Sequence, residues 1–305
     1  MRRKRNCTTG PKTDVDIVVF GAGSLGSLVG GLCAREHRVT LVGRDPHVAA
    51  VRESGLAVEG TVEFTAHPDA RTTVPDRADL ALVTVKSFDT PEAGRTLADC
   101  KPSITCSLQN GLGNEDTLDT HLDPVLAGTC TYGARLLEPG RVACMGLGEV
   151  ALGAPDGGHL AAAERAAAAL RAAGIETSVT REMPERLWRK LAVNAGINPT
   201  TALAGVSNGV LADGPLYEIA SEAARETARV AREQDVDLAE REAVAALDSV
   251  IAATADNTSS MAEDIQNGRR TEIDAINGAV VERAESSVPV NRTLAALVRA
   301  REHAG

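Results

Sequence analysis

The segment Gly21-Ala-Gly-Ser-Leu-Gly26 follows the apolar run Val15-Asp-Ile-Val-Val-Phe20 and leads into a helical pattern over 24–36. A strand, a G-x-G-x-x-G turn and a helix in that order leave few folds open, because together they form the start of a βαβ unit. Gly21 permits the tight turn, Gly23 lets the backbone approach a pyrophosphate, and Gly26 lets the helix pack closely on the strand. With Ala22, Ser24 and Leu25 they form a turn whose helix N-terminus offers free N–H groups to an anion. A glycine-rich turn alone is a weak signal. Here the flanking strand and helix supply the context that makes it a dinucleotide site.

The same alternation continues. Strand patterns occur at Arg38–Val42, weakly near 56–65, at Leu80–Val85, at Ile104–Leu108 and near 125–131, 149–152 and 175–180. Helical patterns fall at about 46–54, 89–98 and, rich in alanine, 159–173. Strands alternating with helices predict an α/β fold with a mostly parallel, doubly wound sheet. After Met183 the pattern changes: 184–198, 215–233, 239–255, 259–267 and 271–286 all read as helices, and no strand remains. The expected organisation is a flexible leader over 1–14, a nucleotide-binding sheet domain over 15–180 and an all-helical domain over 181–305. A chain of 305 residues is long enough for two cores.

A net charge of −10 and an aromatic content of 2% argue against a nucleic-acid partner, which needs basic surface and stacking rings. The basic leader Met1-Arg-Arg-Lys-Arg5 is followed by polar residues rather than an apolar segment, so it does not read as a secretion signal. No stretch approaches the length of a membrane span. The expectation is a cytoplasmic protein without a membrane partner. Its six cysteines show no C-x-x-C pair and read as reduced, mostly buried thiols. The histidines stand singly, and no metal is expected.

The end of the second strand bears on the cofactor. An acid there would hold the ribose 2′-hydroxyl of NAD, but this chain carries Val42-Gly-Arg44. A guanidinium suits a 2′-phosphate, which favours NADP(H); Asp45 would reverse the preference if it faced the ribose instead. Two further strands deliver polar residues where ligands of open sheets sit: Lys86 after Val85, and Gln109-Asn110-Gly-Leu-Gly113 after Leu108. Singly, each reads as an ordinary strand end; as a pair flanking one crevice, Lys86 and Asn110 read as ligand contacts.

Trp188-Arg-Lys190-Leu-Ala-Val-Asn194-Ala-Gly-Ile-Asn198-Pro carries the most chemistry. Lys190, Asn194 and Asn198 recur every four residues and form one polar stripe on a helix that is otherwise largely apolar. A solvated stripe would more naturally use Glu, Lys and Arg. A lysine desolvated on such a helix can polarise a ketone and give a proton to the developing alkoxide. Further on, Ser260 and Glu263 have the spacing of a capping box, and Thr271-Glu-Ile-Asp274 repeats it. By physics alone Ser260 reads as a cap and Glu272 as a first-turn acid.

Together Gly21–Gly26, Val85-Lys86, Gln109-Asn110-Gly, Leu187-Trp-Arg-Lys-Leu-Ala-Val-Asn194, Ile197-Asn-Pro199, Asn208-Gly, Ser259-Ser-Met261 and Thr271–Gly278 resemble the ketopantoate reductase (2-dehydropantoate 2-reductase) family. They stand in family order and cover roughly residues 15–290. The resemblance implies a Rossmann domain joined to a helical domain with the site between them. It also implies NADPH-dependent reduction of 2-dehydropantoate to (R)-pantoate, toward pantothenate and coenzyme A. It assigns Lys190 as the catalytic acid and Asn194, Asn198, Asn208, Asn257 and Ser260 as substrate contacts. Lys86, Asn110, the Ala134 backbone and Glu272 fall to the cofactor, with Glu272 also near substrate or Lys190. The expected partner is a small 2-oxo acid, and a homodimer stays open. The competing readings are a same-mechanism reductase of another branched 2-oxo acid and a non-catalytic NADP(H)-sensing module, which would not need the Lys190 stripe.

Overall fold

The computed structural model describes residues 14–158 and 160–303; residues 1–13 of the expected leader and Cys7 lie outside them. The first half is built on one large sheet. Its strands are β1 (Asp16–Phe20), β2 (Arg38–Val42), β5 (Asp69–Arg71), β6 (Leu80–Val83), β7 (Thr105–Ser107), β8 (Val125–Cys130), β11 (Val150–Gly153) and β12 (Thr177–Val179). They lie in the order β12-β11-β8-β7-β6-β1-β2-β5, all parallel except the β8–β11 pair. β6 and β8 are buried at every residue, as parallel strands covered on both faces must be. Helices α1 (Ser24–Cys33), α2 (His47–Ser54), α3 (Thr90–Cys100), α4 (Asn114–Asp119) and α5 (Ala161–Ala172) make the connections and cover the sheet.

The order reverses at β1. From it the chain runs outward through β2 to β5, then returns to the other side of β1 with β6. In open α/β sheets that reversal opens a crevice at the carboxyl ends of the strands. Gly21–Gly26 stands at this point.

A second, four-stranded sheet, in the order β4-β3-β10-β9, packs over α1. It joins β3 (Leu56–Gly60) and β4 (Phe64–Ala66) to the hairpin β9 (Gly133–Glu138) and β10 (Arg141–Gly146). Sequence patterning misses this hairpin and β5. β9 has no buried residue and no alternation of apolar and polar positions to betray it.

From Met183 onward the described chain is helical: α6 (Met183–Ala204), α7 (Gly214–Glu233), α8 (Glu240–Ala253), α9 (Ser260–Gln266), α10 (Ala279–Arg283) and α11 (Pro289–His303). Three expectations are corrected here. The segment expected as one helix over 271–286 is a π-helical turn, Asp274–Gly278, followed by the short α10. The cap of α9 is Ser259, whose Oγ accepts from Ala262 N at 3.2 Å; Ser260 is the first helical residue and is exposed. α6 runs six residues past the expected end at 198, through Pro199.

That last extension has a specific cause. Pro199 has no N–H to give the carbonyl four residues back, that of Ala195. The fully buried Asn277 supplies the missing donor, its Nδ2 lying 3.0 Å from Ala195 O and 2.9 Å from Asn291 Oδ1. Asn291 in turn donates to Ala223 O and to Glu226 Oε2, so a buried polar chain ties α6, the π turn, α11 and α7 together. No helix among the described residues is long and apolar enough to cross a membrane. Cys33, Cys100, Cys106, Cys130 and Cys144 are free and buried.

Candidate active site

The glycine turn is tied to the end of β2, since Gly21 N and Ala22 N both donate to Val42 O, at 2.9 and 3.0 Å. Its inner side is closed. A Cβ on Gly26 would stand 2.2 Å from Gly21 O and 2.5 Å from Thr84 Oγ1, distances no side chain tolerates. Its outer side is open, with nothing within 4 Å of a Cβ placed on Gly23. A turn packed inward and bare outward at the start of a ten-residue helix fits a dinucleotide pyrophosphate. Ser24 faces the second sheet, where its Oγ accepts from Leu136 N at 2.9 Å; Ala134 lies two residues away on β9, half-buried. Leu25 is partly buried against the core.

Arg44 lies two residues beyond β2. Its side chain is 89% exposed, and its Nη2 donates to Asp89 Oδ2 at 3.2 Å.

On the other side of β1, the loops after β6 and β7 meet the helical half. Lys86 Nζ donates to Asp264 Oδ2 at 2.6 Å and lies 3.6 Å from Glu272 Oε2. Asp264 and Glu272 are buried. Arg269 Nε, at 3.1 Å, is the second cation on Asp264. Glu272 Oε1 accepts from Ser87 N at 3.0 Å and Oε2 from Asn110 Nδ2 at 3.4 Å. Asn110 reaches Glu272 because Gly111, at φ +84°, brings its loop against the π turn, where Leu112 N donates to Ala275 O at 3.1 Å. A Cβ at Gly111 would lie 2.4 Å from that same oxygen. Behind the loop, Asn114 Nδ2 holds Asn110 O at 2.9 Å, and Thr90 Oγ1 holds Asn114 Oδ1 at 2.9 Å.

Lys190 extends from α6 to Cys130, the last residue of β8, and its Nζ donates to Cys130 O at 3.3 Å. Burial pushes its ammonium below the ordinary lysine range; Cys130, Glu272 and Glu115 pull the other way. Glu115, in the first turn of α4, is itself buried, and burial pushes its carboxyl above the usual carboxylate range despite a backbone hydrogen bond, one from Ser107 and the nearby Lys190 charge. Lys190 is therefore coupled to two acids drawn from different halves of the molecule.

Asn194 is half-buried and Asn198 buried, on the same stripe as Lys190, which spans about 12 Å along α6. The start of α9 is held to α6 by the 2.7 Å bond between Thr201 Oγ1 and Ser259 Oγ. Asn208 N donates to Asn257 O at 3.0 Å, and Asn208 Nδ2 to Thr254 Oγ1 at 2.9 Å. Asn208 Oδ1 is buried with no partner, whereas Asn257 and Ser260 are exposed. The structure thus gathers Lys86, Asn110, Glu272 and Lys190 at one crevice. Arg44 stands apart, beyond the end of β2. Sequence reasoning misses Asp264, Glu115 and Ser87. Glu115, in the first turn of α4, reads as an ordinary dipole partner, Asp264 as one more acid on a short helix, and a backbone N–H has no sequence signal at all.

Residues 17–157 match the family model "Ketopantoate reductase PanE/ApbA", and residues 182–302 match "Ketopantoate reductase PanE/ApbA C terminal". The chain belongs to the ketopantoate reductase family. Within the family, a Halobacterium salinarum protein named 2-dehydropantoate 2-reductase is 45% identical over 95% of this chain and 99% of its own length. An Archaeoglobus fulgidus protein of the same name is 38% identical over 93% of this chain and 96% of its own. Among solved structures, a PanE/ApbA family ketopantoate reductase from Ralstonia eutropha superposes with a TM-score of 0.86 at 31% identity, covering 94% of this chain and 98% of that one. A D-mandelate dehydrogenase solved with NADH and anilino(oxo)acetate gives 0.89 at 27% identity, again over 94% of this chain and 98% of that one. The fold is thus a Rossmann-type sheet followed by helices, and the family is one of oxidoreductases.

Proposed function

We propose that the chain reduces 2-dehydropantoate to (R)-pantoate with NADPH, as a step of pantothenate and coenzyme A biosynthesis. The observation that carries this reading is Lys190 on α6, half-buried with its Nζ on Cys130 O at the end of β8 and electrostatically coupled to Glu272, whose carboxylate meets the loops after β6 and β7. Bound nicotinamide would supply a hydride to the carbonyl carbon of the substrate. Lys190 holds at Nζ the proton that the resulting alkoxide takes up. Glu272 favours the charged form of Lys190, and the Ser87 and Asn110 donors keep that carboxylate in place. Asn194 and Asn198 offer uncharged hydrogen bonds on the same stripe, and Asn208, Asn257 and Ser260 complete the substrate side. Gly21–Gly26, Lys86, Asn110 and the Ala134 backbone hold the cofactor. Residues 15–180 act as the nucleotide domain and 181–305 as the substrate domain.

The test is NADPH oxidation followed with 2-dehydropantoate, with a panel of branched 2-oxo acids and with aryl 2-oxo acids. The aryl compounds are included because of the D-mandelate dehydrogenase likeness. A kcat/KM for 2-dehydropantoate no better than for simple keto acids would overturn the substrate assignment.

The cofactor preference rests on Arg44. Arg44→Ala should weaken NADPH binding by tenfold or more and NADH little, the order expected for losing a charge-assisted contact to phosphate. Equal losses of both nucleotides in titration would remove the 2′-phosphate role.

The pH profile follows from Lys190. Reduction needs the ammonium, so kcat/KM is fully present below its pKa and is lost as pH rises through it. Burial lowers that pKa, so the alkaline limb should fall below the ordinary lysine value of about 10.4. Glu115→Gln removes a negative charge that supports the ammonium, and should move the limb to lower pH. A limb unmoved in that variant would show that Glu115 does not tune Lys190.

A further inference from the structure

The Arg44–Asp89 pair contributes nothing to the chemistry above, yet its placement is specific. Arg44 follows β2, and Asp89 closes the single helical turn Ser87–Asp89 that follows β6. β1, which ends at the glycine turn, lies between those two strands. The 3.2 Å pair therefore joins the ends of two strands across the end of the third, over the crevice a dinucleotide enters. It is also close to the phosphate turn, since a Cβ on Gly43 would stand 2.8 Å from the Ala22 side chain. Stability does not account for it, because an ion pair whose arginine is 89% exposed contributes little.

We propose that Asp89 is a specificity-determining residue for the cofactor: it pairs with Arg44 and is the anion that a 2′-phosphate must displace. This rests on the reading of Arg44 as the 2′-phosphate contact. Carboxylate and phosphate compete for the same guanidinium donors, in the same planar geometry. Once displaced, Asp89 stays nearby as a like charge against the phosphate. A ribose 2′-hydroxyl needs no guanidinium and meets no such repulsion. Asp89 thus penalises NADPH and spares NADH, which narrows a preference that Arg44 alone would make wide.

The experiment is calorimetric titration of the full chain and its variants with NADPH and NADH at low ionic strength. Asp89→Asn should tighten NADPH about threefold to tenfold, the reach of one exposed ion pair plus one nearby repulsion, and leave NADH within about twofold. The gain should shrink in high salt. Asp89→Ser should move the NADPH/NADH ratio the same way, and Asp89→Glu should restore it. Arg44→Ala is the control that separates the two claims. If it collapses the ratio while Asp89→Asn and Asp89→Ser leave it unchanged, Asp89 has no part in selection and the inference fails. If Arg44→Ala itself leaves the ratio unchanged, the reading of Arg44 fails and this inference falls with it.

Discussion

Lys190→Ala should lower kcat by about 10²–10⁴-fold, the usual contribution of a positioned general acid, while leaving NADPH affinity close to that of the unmodified protein. The separation follows from where the residue stands. Lys190 lies on α6 against the end of β8, whereas the glycine turn and Arg44 hold the other end of the crevice. Lys190→Arg is a sharper variant. It keeps the charge but has a guanidinium that does not give up its proton at working pH, so turnover should stay low. Steady-state rates and nucleotide titrations on both variants check this, and near-normal turnover in either removes Lys190 as the donor. Loss of NADPH affinity equal to the loss of rate would instead make it a structural support.

Glu226→Ala should destabilise the helical half by about 3 kcal/mol or more, on the scale of breaking a buried charged hydrogen-bond network. Glu226 is fully buried on α7, and its carboxylate accepts from Val290 N at 2.9 Å and Asn291 N at 2.8 Å. Those are first-turn donors of α11, which have no partner within their own helix. The cap of α11 is therefore supplied by another helix, 64 and 65 positions earlier in the chain. Removing it orphans the two N–H groups and Asn291 Nδ2 loses one of its two acceptors. Urea unfolding, with the midpoint and slope both recorded, measures the cost. An unfolding free energy within a few tenths of a kcal/mol of the parent would show that water replaces the carboxylate. Glu226→Gln, which keeps one acceptor oxygen, should fall between the two.

These two residues mark the limits of what local pattern conveys. Lys190 is legible because a lysine among Leu187, Leu191 and Val193 contradicts its surroundings, and burial of a charge demands a reason. β6 and β8 are legible because strands covered on both faces must be continuously apolar. Glu226 is not legible: one acid on an amphipathic helix looks like any solvated face, and its partners lie far along the chain. Pro199 misleads for the same reason. Local rules end the helix before it, whereas the donor that rescues Ala195 O sits on Asn277, 82 positions away. The cap of α9 slips by one because Ser259 and Ser260 stand side by side, and only backbone geometry chooses between them. In the crevice, Lys86 and Asn110 announce themselves at strand ends, but Glu272 comes from resemblance, and Asp264 and Glu115 from coordinates alone.

The Ser87–Glu272 hydrogen bond joins residues 185 positions apart, and this bears on how the protein is made. Domains tend to fold in order of emergence during synthesis. The large sheet and its glycine turn are complete by Val179, long before Asp264 or Glu272 exists to meet Lys86 and Ser87. A growing chain therefore completes its large sheet and glycine turn first, with Lys86 and Asn110 still without their acidic partners. Of the two acids coupled to Lys190, Glu115 precedes it in the chain and Glu272 arrives only with the last helices. Premature termination in those last helices would leave a chain whose sheet is whole but whose Lys86, Ser87 and Asn110 have no acidic partner from the helical half.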